Sequence, residues 1–63
     1  MGEKLLKYYQ YITSEKGIQG KMALAMSTKI PVPIAATEPD SEENIKSFMK
    51  AVHNLTGKPA PEF

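Results

Sequence analysis

Helix-breaking residues divide this chain into three segments that can form helices. Gly17 follows a run of good helix formers, Pro31 and Pro33 interrupt the middle of the chain, and Gly57 comes after the last apolar repeat. A proline removes a backbone donor and restricts the residue before it, while a glycine after a helix favours a left-handed cap. The spacing of these residues predicts an all-α fold: a small three-helix domain that covers residues 1–63.

A stripe of apolar residues with helical spacing predicts the first helix, over residues 3–16. The stripe consists of Leu5, Tyr9 and Ile12. Leu6 lies to one side, and Tyr8 and Tyr11 lie to the other, so the apolar arc spans roughly 220°, about twice the width that one core requires. We therefore expect Tyr8 and Tyr11 to be partner-binding residues, in a homodimer or in a complex with another protein. The alternative is that they cover lysine stems or lie under the proline-rich segment.

A shorter second helix is predicted over residues 18–28, where Met22 and Met26 are one turn apart. Because the chain has few other large apolar residues, both methionines are expected to fill the core, although flexible thioethers also suit a partner helix. The next segment, residues 30–34, contains two prolines and is expected to be extended. Since this proline-rich segment is apolar, it is expected to lie across the helices, between helices two and three.

The third helix is predicted between Asp40 and Gly57. Asp40 is expected to cap its first amides, with Glu43 in the position of a capping box, and Gly57 marks its end. The apolar stripe of this helix consists of Ile45, Phe48, Met49, Val52 and Leu55. The remaining residues, 58–63, contain two prolines and are expected to form a flexible tail, whose Phe63 either packs on the core or extends into solvent.

No motif for catalysis or for a cofactor is present in the sequence. Cysteine is absent, which excludes thiol chemistry and cysteine-ligated zinc, and His53 is the single histidine, with no partner suggested by the pattern. The acidic residues between positions 38 and 43 lack the spacing of a calcium loop and are expected to be solvated around a helix start. We therefore expect a protein that is not an enzyme, with no catalytic residue, no cofactor and no metal ion.

Two short stretches resemble elements of nucleic-acid-binding proteins. Residues 16–21, Lys-Gly-Ile-Gln-Gly-Lys, resemble the GxxG loop of KH domains, but the rest of the chain offers no three-stranded sheet, so a helix break explains the glycines better. Residues 24–31 resemble the second helix and turn of a helix-turn-helix, which implies a recognition helix of about two turns after them. The alternative function is therefore helix-turn-helix-like nucleic-acid binding. The lysines that would contact nucleic acid are Lys16, Lys21 and Lys29.

Charge and size favour association with protein. The formal net charge is +1 and all eight cations are lysines, so the chain lacks a strong field for nucleic acid and has no guanidinium group. A domain of this size buries only about 60% of the surface that its unfolded chain exposes, and without disulfides or a metal, self-association is the expected support. With no long apolar run, the chain is expected to be cytoplasmic and without membrane contact. The predicted function is a non-catalytic, self-associating small protein or a module that docks on another protein.

Overall fold

The computed structural model describes residues 3–63, and within them the chain forms three helices and no strand. The helices are α1 (Glu3–Thr28), α2 (Val32–Ala35) and α3 (Glu42–Thr56). The predicted all-α fold is confirmed.

Helix α1 is broken at Gly17 into two arms, as the sequence predicts. Gly17 has φ 71° and ψ −158°, a conformation that is essentially restricted to glycine. A Cβ at Gly20 would lie 3.1 Å from the carbonyl oxygen of Ile12, whereas residues eight apart in a continuous helix are separated by about 12 Å along the axis. The second arm, residues 18–28, therefore folds back on the first arm, residues 3–16.

The core lies where the first arm, the second arm, α2 and α3 meet. Its buried side chains are Leu5, Tyr8, Tyr9, Ile12, Leu24, Ala35, Phe48, Ala51 and Val52. Phe48 of α3 is completely buried, and the Tyr9 ring packs edge-on against it with a centroid distance of 5.5 Å. The predicted core-facing stripes of the first and third helices thus face each other.

The expected cap of the third helix by Asp40 is wrong, because Ser41 caps α3 and its hydroxyl accepts a hydrogen bond from the Asn44 amide at 3.1 Å. The Asp40 carboxylate instead accepts from the amides of Lys4 at 3.2 Å and Leu5 at 3.4 Å. These amides belong to the first turn of α1, where unpaired donors and the helix dipole favour an anion. Asp40 therefore caps a helix that is distant in sequence and connects the start of α1 to the residues just before α3.

The proline-rich segment is extended at Pro31 and helical after it. Pro31 has φ −66° and ψ 165°, and its carbonyl accepts from the amides of Ile34 and Ala35 at the start of α2. The expected extended conformation is therefore wrong for Val32, Pro33 and Ile34, which lie in α2. Pro33 lies in the first turn of α2, where its missing N–H leaves no hydrogen bond unmade. Ala35 is completely buried and fastens the segment to the core.

Candidate functional site

The side of the first arm that carries Tyr8 and Tyr11 is covered by the C-terminal residues of the same chain. Tyr8 is only 1% exposed, its hydroxyl donates to the Pro61 carbonyl at 2.8 Å, and its ring packs edge-on against Phe63 with centroids 4.8 Å apart. Tyr11 is half-buried, and its ring lies 6.4 Å from that of Phe63. The part of the apolar arc that carries Tyr8 and Tyr11 is thus covered by Pro61 and Phe63 of the same chain, and Tyr8 does not lie on the surface. Whether the pair binds a partner stays a prediction.

A histidine hydrogen bond holds the start of this C-terminal segment. His53 is exposed on α3, and its Nδ1 donates to the carbonyl oxygen of Lys58 at 2.8 Å. Since a carbonyl only accepts, this contact places a proton on Nδ1. His53 therefore holds the backbone at Lys58 close to the end of α3, next to the left-handed Gly57 cap.

Burial also raises the pKa values of two tyrosines, Tyr8 and Tyr9. Desolvation raises the pKa of the Tyr8 phenol, with a further increase from the nearby Glu62 carboxylate. Desolvation also raises the pKa of Tyr9, against a smaller opposing effect of a hydrogen bond to Thr28. The Tyr9 hydroxyl donates to the Ile30 carbonyl. Both phenol hydroxyls thus form hydrogen bonds within the chain.

The most exposed of the large apolar side chains lie on the second arm of α1. Ile18, Met22 and Met26 are 72%, 60% and 78% exposed. They are spaced by four residues, so they form one ridge along the helix, which we call the methionine ridge. Gly20 and Leu24, on the opposite side of the same arm, are buried. The expectation that Met22 and Met26 fill the core is wrong, because Leu24 supplies the core contact of this arm.

The sequence did contain a signal for this ridge. In residues 18–28 apolar side chains occur on both sides of the predicted helix, with Leu24 on one side and Ile18 and Met22 on the other. A helix that is apolar all round is normally buried on all sides. Two sides cannot both face the small core of this chain, so one of them remains exposed.

Lysines lie on both sides of the methionine ridge. Lys21 borders a cleft of about 520 Å³ between the two arms, whose apolar lining includes Leu6 and Val32. Lys16 borders a smaller cleft, of about 270 Å³, on the side of Ala23 and Leu55. The lysines at 16 and 21 are both exposed and border these two different clefts.

The third lysine, Lys29, follows the last turn of α1 and has φ 61°. Its left-handed conformation is the one that usually ends a helix at glycine. Its amide donates to the Ala25 carbonyl at 2.8 Å, and its side chain is exposed. A cation therefore stands beyond the C-terminal end of the methionine ridge, and residues 16–37 contain no acidic residue.

The two nucleic-acid resemblances have little geometric support. Gly17 provides the break and Gly20 the close approach of the arms, so these glycines already have internal roles. Helix α2, in the position of a recognition helix, has only four residues, too few to read a major groove. Nucleic-acid binding by Lys16, Lys21 and Lys29 stays an untested alternative.

In the described part of the chain, no three His, Asp or Glu side chains are placed to hold a metal ion together. Over the same residues, 3–63, no helix has the length and apolar character that crossing a bilayer requires. No protein-family model, no curated protein and no solved structure matches this sequence.

Proposed function

We propose that this protein is a non-catalytic association module of the cytoplasm and that its binding surface is the methionine ridge. The observation that carries the proposal is the exposure of Ile18, Met22 and Met26, at 72%, 60% and 78%, along one face of a helix. Single exposed apolar residues are common on protein surfaces, but contiguous ones mark binding sites. Methionine in particular adapts its shape to different partners.

The energy available from the ridge indicates a complex of modest affinity. Burying one large aliphatic side chain contributes about 1.5–3 kcal/mol, so three that are roughly two-thirds exposed contribute about 3–6 kcal/mol. Association costs at least about 4 kcal/mol in lost translation and rotation. The ridge alone does not hold a partner firmly, and the flanking lysines and the cleft beside Lys21 must contribute as well.

Catalysis has less support than association. His53 has its Nδ1 engaged with a backbone carbonyl, and the buried tyrosines donate to the carbonyls of Pro61 and Ile30. General acid–base chemistry requires a titratable group within reach of a bound substrate and a second group that orients it. The methionine ridge, in contrast, is a row of exposed apolar side chains, which is typical of a protein-binding surface.

Site-specific photo-crosslinking in living cells tests this proposal. A benzophenone amino acid replaces Met22 in one variant and Lys46 of α3 in a matched control, because the Lys46 side chain is also exposed, at 76%. We expect discrete crosslinked species from position 22 and none of the same mass from position 46. Identical patterns from both positions, or no adduct from position 22, would contradict the proposal.

A further inference from the structure

We propose that the partner is an amphipathic helix of another protein, with carboxylate side chains on both sides of its apolar face. The inference rests on the proposed function of the methionine ridge and adds the chemistry of the occupant. It is carried by charge complementarity: the ridge has exposed cations on both sides and at one end, and acids are absent from residues 16–37.

The shape of the ridge suits a helix. Residues four apart form the ridges that interlock when two helices pack, and small residues beside a ridge create the grooves. Ala23 and Ala25 flank the methionine ridge, and both are half-buried. A partner helix can therefore pack a row of its own side chains next to Met22. Its backbone can then approach the second arm closely.

The charges around the ridge oppose a second copy of this chain as the occupant. A two-fold symmetric contact brings the same patch of each copy together. In such a contact Lys16, Lys21 and Lys29 of one copy face the same lysines of the other, and like charges across an interface disfavour it. Carboxylates on the partner remove this repulsion and form pairs at the rim.

A membrane surface fits the ridge less well. From Ile18 to Met26 the ridge is about 12 Å long, at 1.5 Å per residue, and it contains no aromatic side chain. Helices that lie in the lipid interface usually have longer apolar faces with Trp, Phe or Leu. The cleft of about 520 Å³ beside Lys21, lined by Leu6, Tyr9 and Val32 among others, instead offers room for one large apolar side chain of a protein partner.

Two synthetic helical peptides test the inference. They have identical apolar faces, and one carries glutamates on both flanks while the other carries lysines at the same positions. Fluorescence anisotropy measures the affinity of each for the full chain at physiological salt and at about 0.5 M salt. We expect the glutamate peptide to bind about tenfold more tightly, with a smaller difference at high salt because rim charges are screened.

Charge-reversed variants show whether the effect is local. The double variant Lys16→Glu/Lys21→Glu is expected to prefer the lysine peptide, whereas the matched control Lys7→Glu/Lys46→Glu, with the same net charge, is expected to keep the wild-type preference. Circular dichroism verifies the fold of both variants. A change of preference in the control as large as in the ridge variant would overturn the inference, because net charge would then explain the selectivity.

Other outcomes separate this inference from the proposed function. Equal affinities for the two peptides, no binding of either, a stable wild-type dimer at micromolar concentration, or tighter binding to phosphatidylserine-containing vesicles than to the glutamate peptide would each overturn the proposed partner. If Met22→Asp folds normally and binds the glutamate peptide as the wild type does, the ridge is not the site, and the proposed function fails with the inference.

Discussion

Replacing Gly17 tests the break that folds the second arm back on the first. Gly17 has φ 71° and ψ −158°, and an added L-Cβ meets no atom within 4 Å. The cost of Gly17→Ala is therefore backbone strain alone, about 1–3 kcal/mol for this region. Restricting the unfolded chain offsets about 0.4–1 kcal/mol of it, so the middle of the two ranges gives a net destabilisation of about 1–2 kcal/mol.

A D-alanine at the same position provides the matched control, since a chain of 63 residues is accessible to chemical synthesis. The mirror image of the Gly17 conformation is an ordinary extended one, so the backbone of a D-residue is unstrained there and D-alanine is expected to stabilise the fold by about 0.4–1 kcal/mol. Gly57→Ala is a second control: Gly57 has φ 73°, ψ 8° and no atom within 4 Å of an added Cβ, and we expect a cost of about 1 kcal/mol.

Thermal unfolding followed by circular dichroism measures these differences. For a domain of this size, about 1–2 kcal/mol corresponds to a decrease of about 5–15 °C in Tm. We expect the order D-alanine at 17, wild type, Gly57→Ala and Gly17→Ala, from most to least stable. Equal Tm values for the L- and D-alanine variants at position 17 would refute the reasoning, because the break would then not depend on the glycine conformation.

Four further predictions follow from the packing. Asp40→Ala is expected to cost about 0.5–2 kcal/mol and to accelerate amide exchange at Lys4 and Leu5 but not in α3; faster exchange at the start of α3 instead would show that Asp40 caps that helix. Phe48→Ala is expected to cost about 3–5 kcal/mol in urea denaturation, and a native-like midpoint would exclude Phe48 from the core. Because burial raises the pKa values of Tyr8 and the other buried tyrosine above their unfolded value of about 10, the contribution of these two phenols to the free energy of unfolding is expected to be constant up to about pH 9 and to fall as the pH rises through the folded pKa values. In a Tyr11→Phe variant, which leaves only these two phenols, phenolate absorbance at 295 nm that rises before helix content falls would argue against this coupling. Duplex DNA is expected not to bind at about 50 mM salt, and a salt-sensitive mobility shift would favour the nucleic-acid alternative.

The elements that local chemistry determines were predictable from the sequence. The break at Gly17, the apolar stripe around Phe48 and the end of α3 at Gly57 all agree with the structure. Each depends on residues close in sequence: a glycine conformation, a helical period or a left-handed cap. Such signals do not require knowledge of which segments meet in space.

Features that depend on distant contacts were not predictable. Asp40 and Ser41 are adjacent and both suit a cap, and the choice between them depends on the start of α1, which lies 36 residues away from Asp40 at Lys4. The cover of Tyr8 by Phe63 likewise requires the fold. The choice between the core and the exposed ridge for Met22 depended on Leu24, which occupies the core side of the same arm.

The central claim, that the methionine ridge is the binding surface, is tested most directly by methyl NMR of protein labelled at the methionine methyl carbons. Met22 and Met26 report on the ridge, and the half-buried Met49 of α3 serves as an internal control in the same sample. On titration with the glutamate-flanked peptide, we predict saturable shifts of the Met22 and Met26 methyl signals and no comparable shift of the Met49 signal. A shift of Met49 as large as that of the ridge methyl groups, or ridge signals that do not move while the peptide binds, would contradict the claim.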